Sequence, residues 1–114
     1  MKDDSVYLKY ILACIRKIEE DIDCGRETFM GSHLHQDAVL RNLHTISEST
    51  QQISENLKRK HPDIEWKSIA AFRNVLVHDY LGIDIDRIWK VASEDIPKLK
   101  KSISKMIKQT DKKC

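Results

Sequence analysis

The stretch that decides the fold is "DDSVYLKYILACIRKIEEDI", residues 3–22. Leu8, Ile11, Ile15, Ile18 and Ile22 recur in it at alternating steps of three and four. On a helix of about 3.6 residues per turn that spacing stacks them into one apolar stripe. Asp4 or Ser5 is placed to cap the helix, because a short oxygen-bearing side chain there accepts a hydrogen bond from the free N–H groups of the first turn. A one-sided helix has to bury its stripe against something, so the rest of the chain is searched for matching faces.

The next segment, "DCGRETFMGSHLHQ", is irregular and holds Gly25 and Gly31, which predicts a turn with room for one short helical piece carrying Phe29 and Met30. From Leu34 to Leu57 a second stripe runs through Val39, Leu43, Ile46, Ile53 and Leu57, and it stops at "KRKHPD", where Pro62 prevents simple continuation. A third helix is expected from near Asp63 through Trp66, Ile69, Phe72 and Leu76, ending around Gly82, a residue able to take the left-handed conformation beyond a C-terminus. After Asp84 or Asp86, a fourth stripe runs through Ile85, Ile88, Trp89, Val91, Ile96, Leu99, Ile103 and Ile107, with Pro97 set to kink it or begin a new segment. No segment shows strand alternation. The expectation is an all-α fold, an antiparallel four-helix bundle with an extra short helix and a Pro-kinked last helix.

Composition agrees. At 114 residues, with 33% charged residues and only three Gly and two Pro, the chain suits one helix-rich domain, residues 1–114, able to bury a core without metal or disulfide staples. Cys14, Cys24 and Cys114 are odd in number and form no C-x-x-C pair, which predicts reduced thiols and a cytoplasmic protein. The N-terminus has no apolar signal core, and no segment approaches the roughly 20 apolar residues of a membrane span. A net charge of +2 does not announce a nucleic-acid binder. The charge is unevenly spread, however: Lys98, Lys100, Lys101, Lys105, Lys108, Lys112 and Lys113 face only Asp111 in the tail, a set that attracts phosphates if the helix borders a groove and is otherwise a solvated face.

Chemistry concentrates in "RNVLVHDY", residues 73–80, where a guanidinium, an imidazole and a phenol fall within eight positions. Histidine, with an unperturbed pKa of roughly 6.5, offers both protonation states near neutrality. Arginine keeps its charge and presents a planar fork of donors to phosphate oxygens. Together they suffice to cleave RNA without a metal: the imidazole moves the proton of the 2′-hydroxyl or of the leaving oxygen, and the guanidinium stabilises charge developing on the phosphorane. On an ideal helix Arg73 and Tyr80 nearly align, but Arg73 and His78 lie about 140° apart. The pair converges only if the helix distorts or ends before His78, if two copies of the motif meet across a symmetric dimer, or both. A surface arginine and a helix-terminal histidine interacting with the dipole would leave the same pattern without catalysis.

At these residues the chain resembles the HEPN superfamily, in particular the HepT-like toxins encoded beside minimal nucleotidyltransferases, whose signature is Arg, any four residues, His, any residue, Tyr. Arg73, His78 and Tyr80 match it without a gap. The resemblance extends to "QDAVLRNLHTISEST" as the second helix, "IEWKSIAAFRNVLVHDYLGID" as the third helix and turn, and "IWKVASEDIPKLKKSI" as the last, nearly the whole chain. It implies a homodimer with paired motifs lining the interface cleft, and a metal-independent endoribonuclease that needs no cofactor. By the same resemblance Arg73 and His78 are the catalytic pair and Asn74 is the polar residue that often follows the Arg. Tyr80 becomes the site at which a nucleotidyltransferase antitoxin transfers AMP, silencing the nuclease.

One departure stands out. The family commonly has Gly-Glu-Ala in the second helix, where this chain has Ser47-Glu48-Ser49. Serine is small enough for the helices still to approach closely, and Glu48 either orients Arg73 or His78 or is solvated. Asp79 either raises the His78 pKa or faces solvent. His33, His35 and His44 have no acidic or Cys residue at a telling spacing and read as surface residues. Trp66 and Trp89 read as core or interface anchors rather than base-stacking platforms. Two other readings remain: a noncatalytic helical module that binds nucleotide or scaffolds its nucleotidyltransferase, and a helical dimer whose motif is purely structural.

Overall fold

The computed structural model describes residues 3–72 and 85–111. Helix α1, Asp4–Ile22, buries Leu8, Ile11, Cys14, Ile15 and Ile18. Its cap is Asp3, one residue before the expected Asp4 or Ser5: the Asp3 carboxylate accepts from the Ser5 N–H at 3.2 Å. Asp4 is engaged elsewhere, accepting from the Ser54 N–H at 2.9 Å and the Ser54 hydroxyl at 2.7 Å.

The short helical piece forms as α2, Arg26–Met30, entered through Gly25 at φ +90°, a left-handed conformation costly for any residue with a Cβ. Helix α3, His33–Gln52, starts at Ser32, whose hydroxyl accepts from the His35 N–H. Gln36 is buried, and its side-chain amide donates to the Phe29 and Met30 carbonyls at 2.9 and 3.0 Å. It thereby satisfies acceptors that the end of α2 would leave orphaned.

The helix expected to run unbroken from Leu34 to Leu57 is interrupted. Ile53 is extended (φ −70°, ψ 139°), and a separate α4, Glu55–Lys60, follows. Ser54 explains the break: its hydroxyl accepts from the Leu57 N–H at 3.2 Å while donating to Asp4. A local cap joined to a tertiary bond outcompetes one more helical turn. Ile53 still reaches the core.

Helix α5, Trp66–Ala70, begins three residues later than the expected Asp63. Residues 61–65 form a turn in which the His61 carbonyl accepts both the Ile64 N–H and the Trp66 indole N–H, at 3.2 and 3.1 Å. The remainder of the expected third helix, including Leu76 and Gly82, lies outside the described residues.

The last stripe forms α6, Ile85–Lys90, and α7, Ile96–Asp111, joined through a wider π-type turn at Val91–Asp95 in which the Ile96 N–H bonds five residues back to the Val91 carbonyl. Pro97 gives the reason: its ring lacks a donor and would collide with the Ser93 carbonyl in a regular helix, and the extra residue in the turn makes room. The expected kink is therefore realised as a π turn.

Side-chain pairs fix the directions of the helices. Asp21 near the end of α1 meets His35 at the start of α3, and Asp4 meets Ser54 at the other extremity, so these two helices are antiparallel. Lys100 near the start of α7 meets Glu19 near the end of α1 at 2.9 Å, so α7 also runs back along α1. The described residues are mostly helical, with no strand among them, and their buried apolar side chains form one cluster. Phe29 and Trp89 close its α2–α6 side with ring centroids 5.3 Å apart, and Trp66 packs against the same cluster. Both tryptophans are therefore packed anchors. Burial pushes the Cys14 thiol above its ordinary value of 9.0, with the nearby Lys17 charge pulling the other way. Among the described residues no helix is long and apolar enough to cross a membrane.

Candidate functional site

Arg73, Asn74, His78, Asp79 and Tyr80 lie outside the described residues; what the structure shows is the platform from which the chain enters them. Ile69 and Phe72 are buried in the core. One helix away, the hydroxyl of the fully buried Ser47 donates to the Ala70 carbonyl at 3.0 Å. Ala70 is the last residue of α5, so this bond satisfies a helix-end acceptor and ties α5 to α3 three residues before Arg73.

In the sequence Ser47 reads only as a residue small enough for close packing, and in the structure its hydroxyl does more. The signal was its place on the buried stripe between Leu43, Ile46 and Thr50, where a polar group needs a partner. Replacing it with alanine should cost about 1 kcal/mol by leaving that carbonyl without its donor. A lower urea midpoint with an unchanged slope would register it, and a variant as stable as the parent would show that the bond carries no weight.

Glu48, the next residue, turns to another side of α3. Its carboxylate lies 2.8 Å from the His44 imidazole one turn earlier, with both side chains well exposed, an arrangement worth a few tenths of a kcal/mol at most. His35 lies 3.2 Å from Asp21. Among the described residues no three His, Cys, Asp or Glu side chains are grouped to hold a metal ion.

The lysine-rich last helix divides its charges. Lys100 is held by Glu19, whereas Lys98 and Lys105 line a cleft beside α5. This cleft has two adjoining parts that share Asp63, Ile64 and Ser102. The first, about 510 Å³, has Ile69, Phe72 and Leu99 as its apolar wall and Asp95 and Lys98 at its edge. The second, about 440 Å³, is bordered by Lys60, His61, Lys105 and Gln109. Because Phe72 forms part of the wall, the cleft opens next to the point where the motif begins.

A helical bundle in which α5 leads into Arg-x4-His-x-Tyr defines a HEPN-type domain of the ribonuclease class. The chain belongs to the ribonuclease HepT-like family, whose sequence profile matches residues 11–106. It is 39% identical over 103 residues to the Thermococcus cleftensis protein named "Probable ribonuclease HepT", covering 90% of this chain and 94% of that one. With "Putative RNase MJ1380" of Methanocaldococcus jannaschii it shares 34% over 105 residues, again covering 90% and 94%. A third relative, "Gamma-glutamylcyclotransferase and putative RNase MJ0434" of the same organism, is 38% identical over 112 residues; the chain spans half of that protein's length. No solved structure matches the chain.

Proposed function

We propose that this chain is the ribonuclease component of a toxin-antitoxin pair, cleaving RNA internally without a metal through Arg73 and His78 at a homodimer interface. The observation that carries the reading is the ungapped Arg73-x4-His78-x-Tyr80 signature inside the span matched by the family profile. Attack of the 2′-oxygen on phosphorus breaks the bond to the 5′-oxygen and leaves a 2′,3′-cyclic phosphate and a 5′-hydroxyl. His78 moves a proton at one of these oxygens, and Arg73 stabilises the charge on the phosphorane. The anchored end of α5 supports this role, since Ser47, Ile69 and Phe72 restrain the backbone immediately before Arg73.

Tyr80 is the regulatory position. Attack of its phenolic oxygen on the α-phosphate of ATP, catalysed by a partner nucleotidyltransferase, releases pyrophosphate and leaves AMP on the tyrosine. The product carries a negative phosphodiester that competes with RNA for the Arg73 cation. Coexpression with a nucleotidyltransferase encoded next to this chain should therefore yield protein with one AMP on Tyr80 by mass spectrometry, and that protein should be inert toward RNA. Full cleavage by the adenylylated form would rule out the switch.

A further inference from the structure

We propose that the cleft between α5 and α7 seats the single-stranded RNA flanking the scissile bond. In it, Lys60, Lys98 and Lys105 meet phosphates, and Asp95 accepts a hydrogen bond from a base amino group. This rests on the reading of the chain as an RNA-cleaving enzyme and adds to it the path of the substrate.

Position is the first argument. Phe72, in the wall of the larger part, directly precedes Arg73, so a strand cut at the motif passes this opening. Size is the second: about 510 Å³ lies within the range of small-molecule clefts and accommodates a base with its sugar. The wall of Ile64, Ile69, Phe72 and Leu99 offers apolar surface to the face of a base, while the rim is polar, the combination that single-stranded nucleic acid requires.

Charge is the third argument. Lys98 and Lys105 are seven residues apart, which places them on nearly the same line of α7, about 10 Å from each other along the axis. Both are exposed, as is Lys60. Among the described residues none of these three forms an ion pair, in contrast to Lys58 with Glu55 and Lys100 with Glu19. Lys98 and Lys105 on α7, with Lys60 bordering the same cleft, suit a phosphate backbone. Apart from Lys98, the charged lining of the larger part is carboxylate, Asp63, Glu65 and Asp95, which suits a base rather than a phosphate. Asp95 repels phosphate but accepts from an exocyclic amino group, as carboxylates do with cytosine. It closes the π turn forced by Pro97, and that turn sets its direction around the helix.

The test is binding of fully 2′-O-methylated oligoribonucleotides, which cannot be cut, followed by fluorescence anisotropy. K98E/K105E should bind at least tenfold more weakly than the parent at low salt. It should also lower the slope of log affinity against log salt by roughly 1.4, the value for two lost phosphate contacts on a single strand. R16E/K17E, which changes net charge equally on the exposed side of α1, should stay within threefold of the parent. The parent should prefer oligocytidine to oligouridine, and Asp95→Ala, which removes the acceptor, should erase that preference. Binding that survives K98E/K105E, or that falls equally in R16E/K17E, overturns the cleft while leaving the nuclease reading intact. Failure of the parent to bind any of these RNAs would overturn the RNA reading itself.

Discussion

Arg73→Ala and His78→Ala are each expected to lower RNA cleavage in excess chelator by about 10²–10⁴-fold, the range typical of losing a positioned acid-base group or a stabilising charge. Far-UV circular dichroism should not change, because the anchored residues around the motif's entry, Ile69, Phe72 and Ser47, are untouched. The double variant should be little worse than either single one, since the two groups act on the same phosphorane and their losses do not add. Helical geometry makes the experiment sharper. If Arg73 of one subunit serves His78 of the other, mixing the two inactive variants reconstitutes one intact site in each mixed dimer. About a quarter of the parent activity should then return. If both groups act within one subunit, mixing restores nothing. Variants that cut at the parent rate would remove both residues from the mechanism.

The second large effect concerns stability. Phe29 is fully buried, stacks at a tilt on Trp89, and offers its carbonyl to Gln36, so one residue joins α2, α3 and α6. Phe29→Ala removes the ring and leaves a cavity, which should cost about 3–5 kcal/mol. Against a total of roughly 5–15 kcal/mol for an ordinary domain, that is a substantial share. A fall in melting temperature of more than about 10 °C would accompany it. A loss below about 1 kcal/mol in urea unfolding would mean that the site collapses onto the cavity or that the Phe29–Trp89 contact is not maintained. The consequence reaches the motif, because Trp89 belongs to the helix that receives the chain after it.

Much of the architecture was legible in spacing alone. The stripes of α1, α3 and the α6–α7 helix bury most of the expected side chains and half-bury Ile22, Ile85, Trp89 and Ile107, because each period of three and four leaves one apolar face to hide from water. What periodicity missed are the places where a polar bond between distant segments overrides it. Ser54 separates α3 from α4 because Asp4, fifty residues earlier, holds it. Helix α5 starts at Trp66 because the His61 carbonyl captures the indole N–H. Ser47 holds Ala70 across twenty-three residues of sequence.

The site divides in the same way. Arg73, His78 and Tyr80 were identifiable from residue type and spacing, since an always-charged donor, a titratable imidazole and a modifiable phenol have chemistry wherever they are placed. The cleft beside them was not, because its wall joins residues 63–72 to residues 95–102, and no linear pattern shows which lysines of a basic helix will border it. Lys98, Lys100 and Lys105 are one run of positive charge in the sequence. Only the tertiary structure gave Lys100 to Glu19 and left Lys98 and Lys105 at the cleft, because a side chain's partner depends on which helix packs against its face.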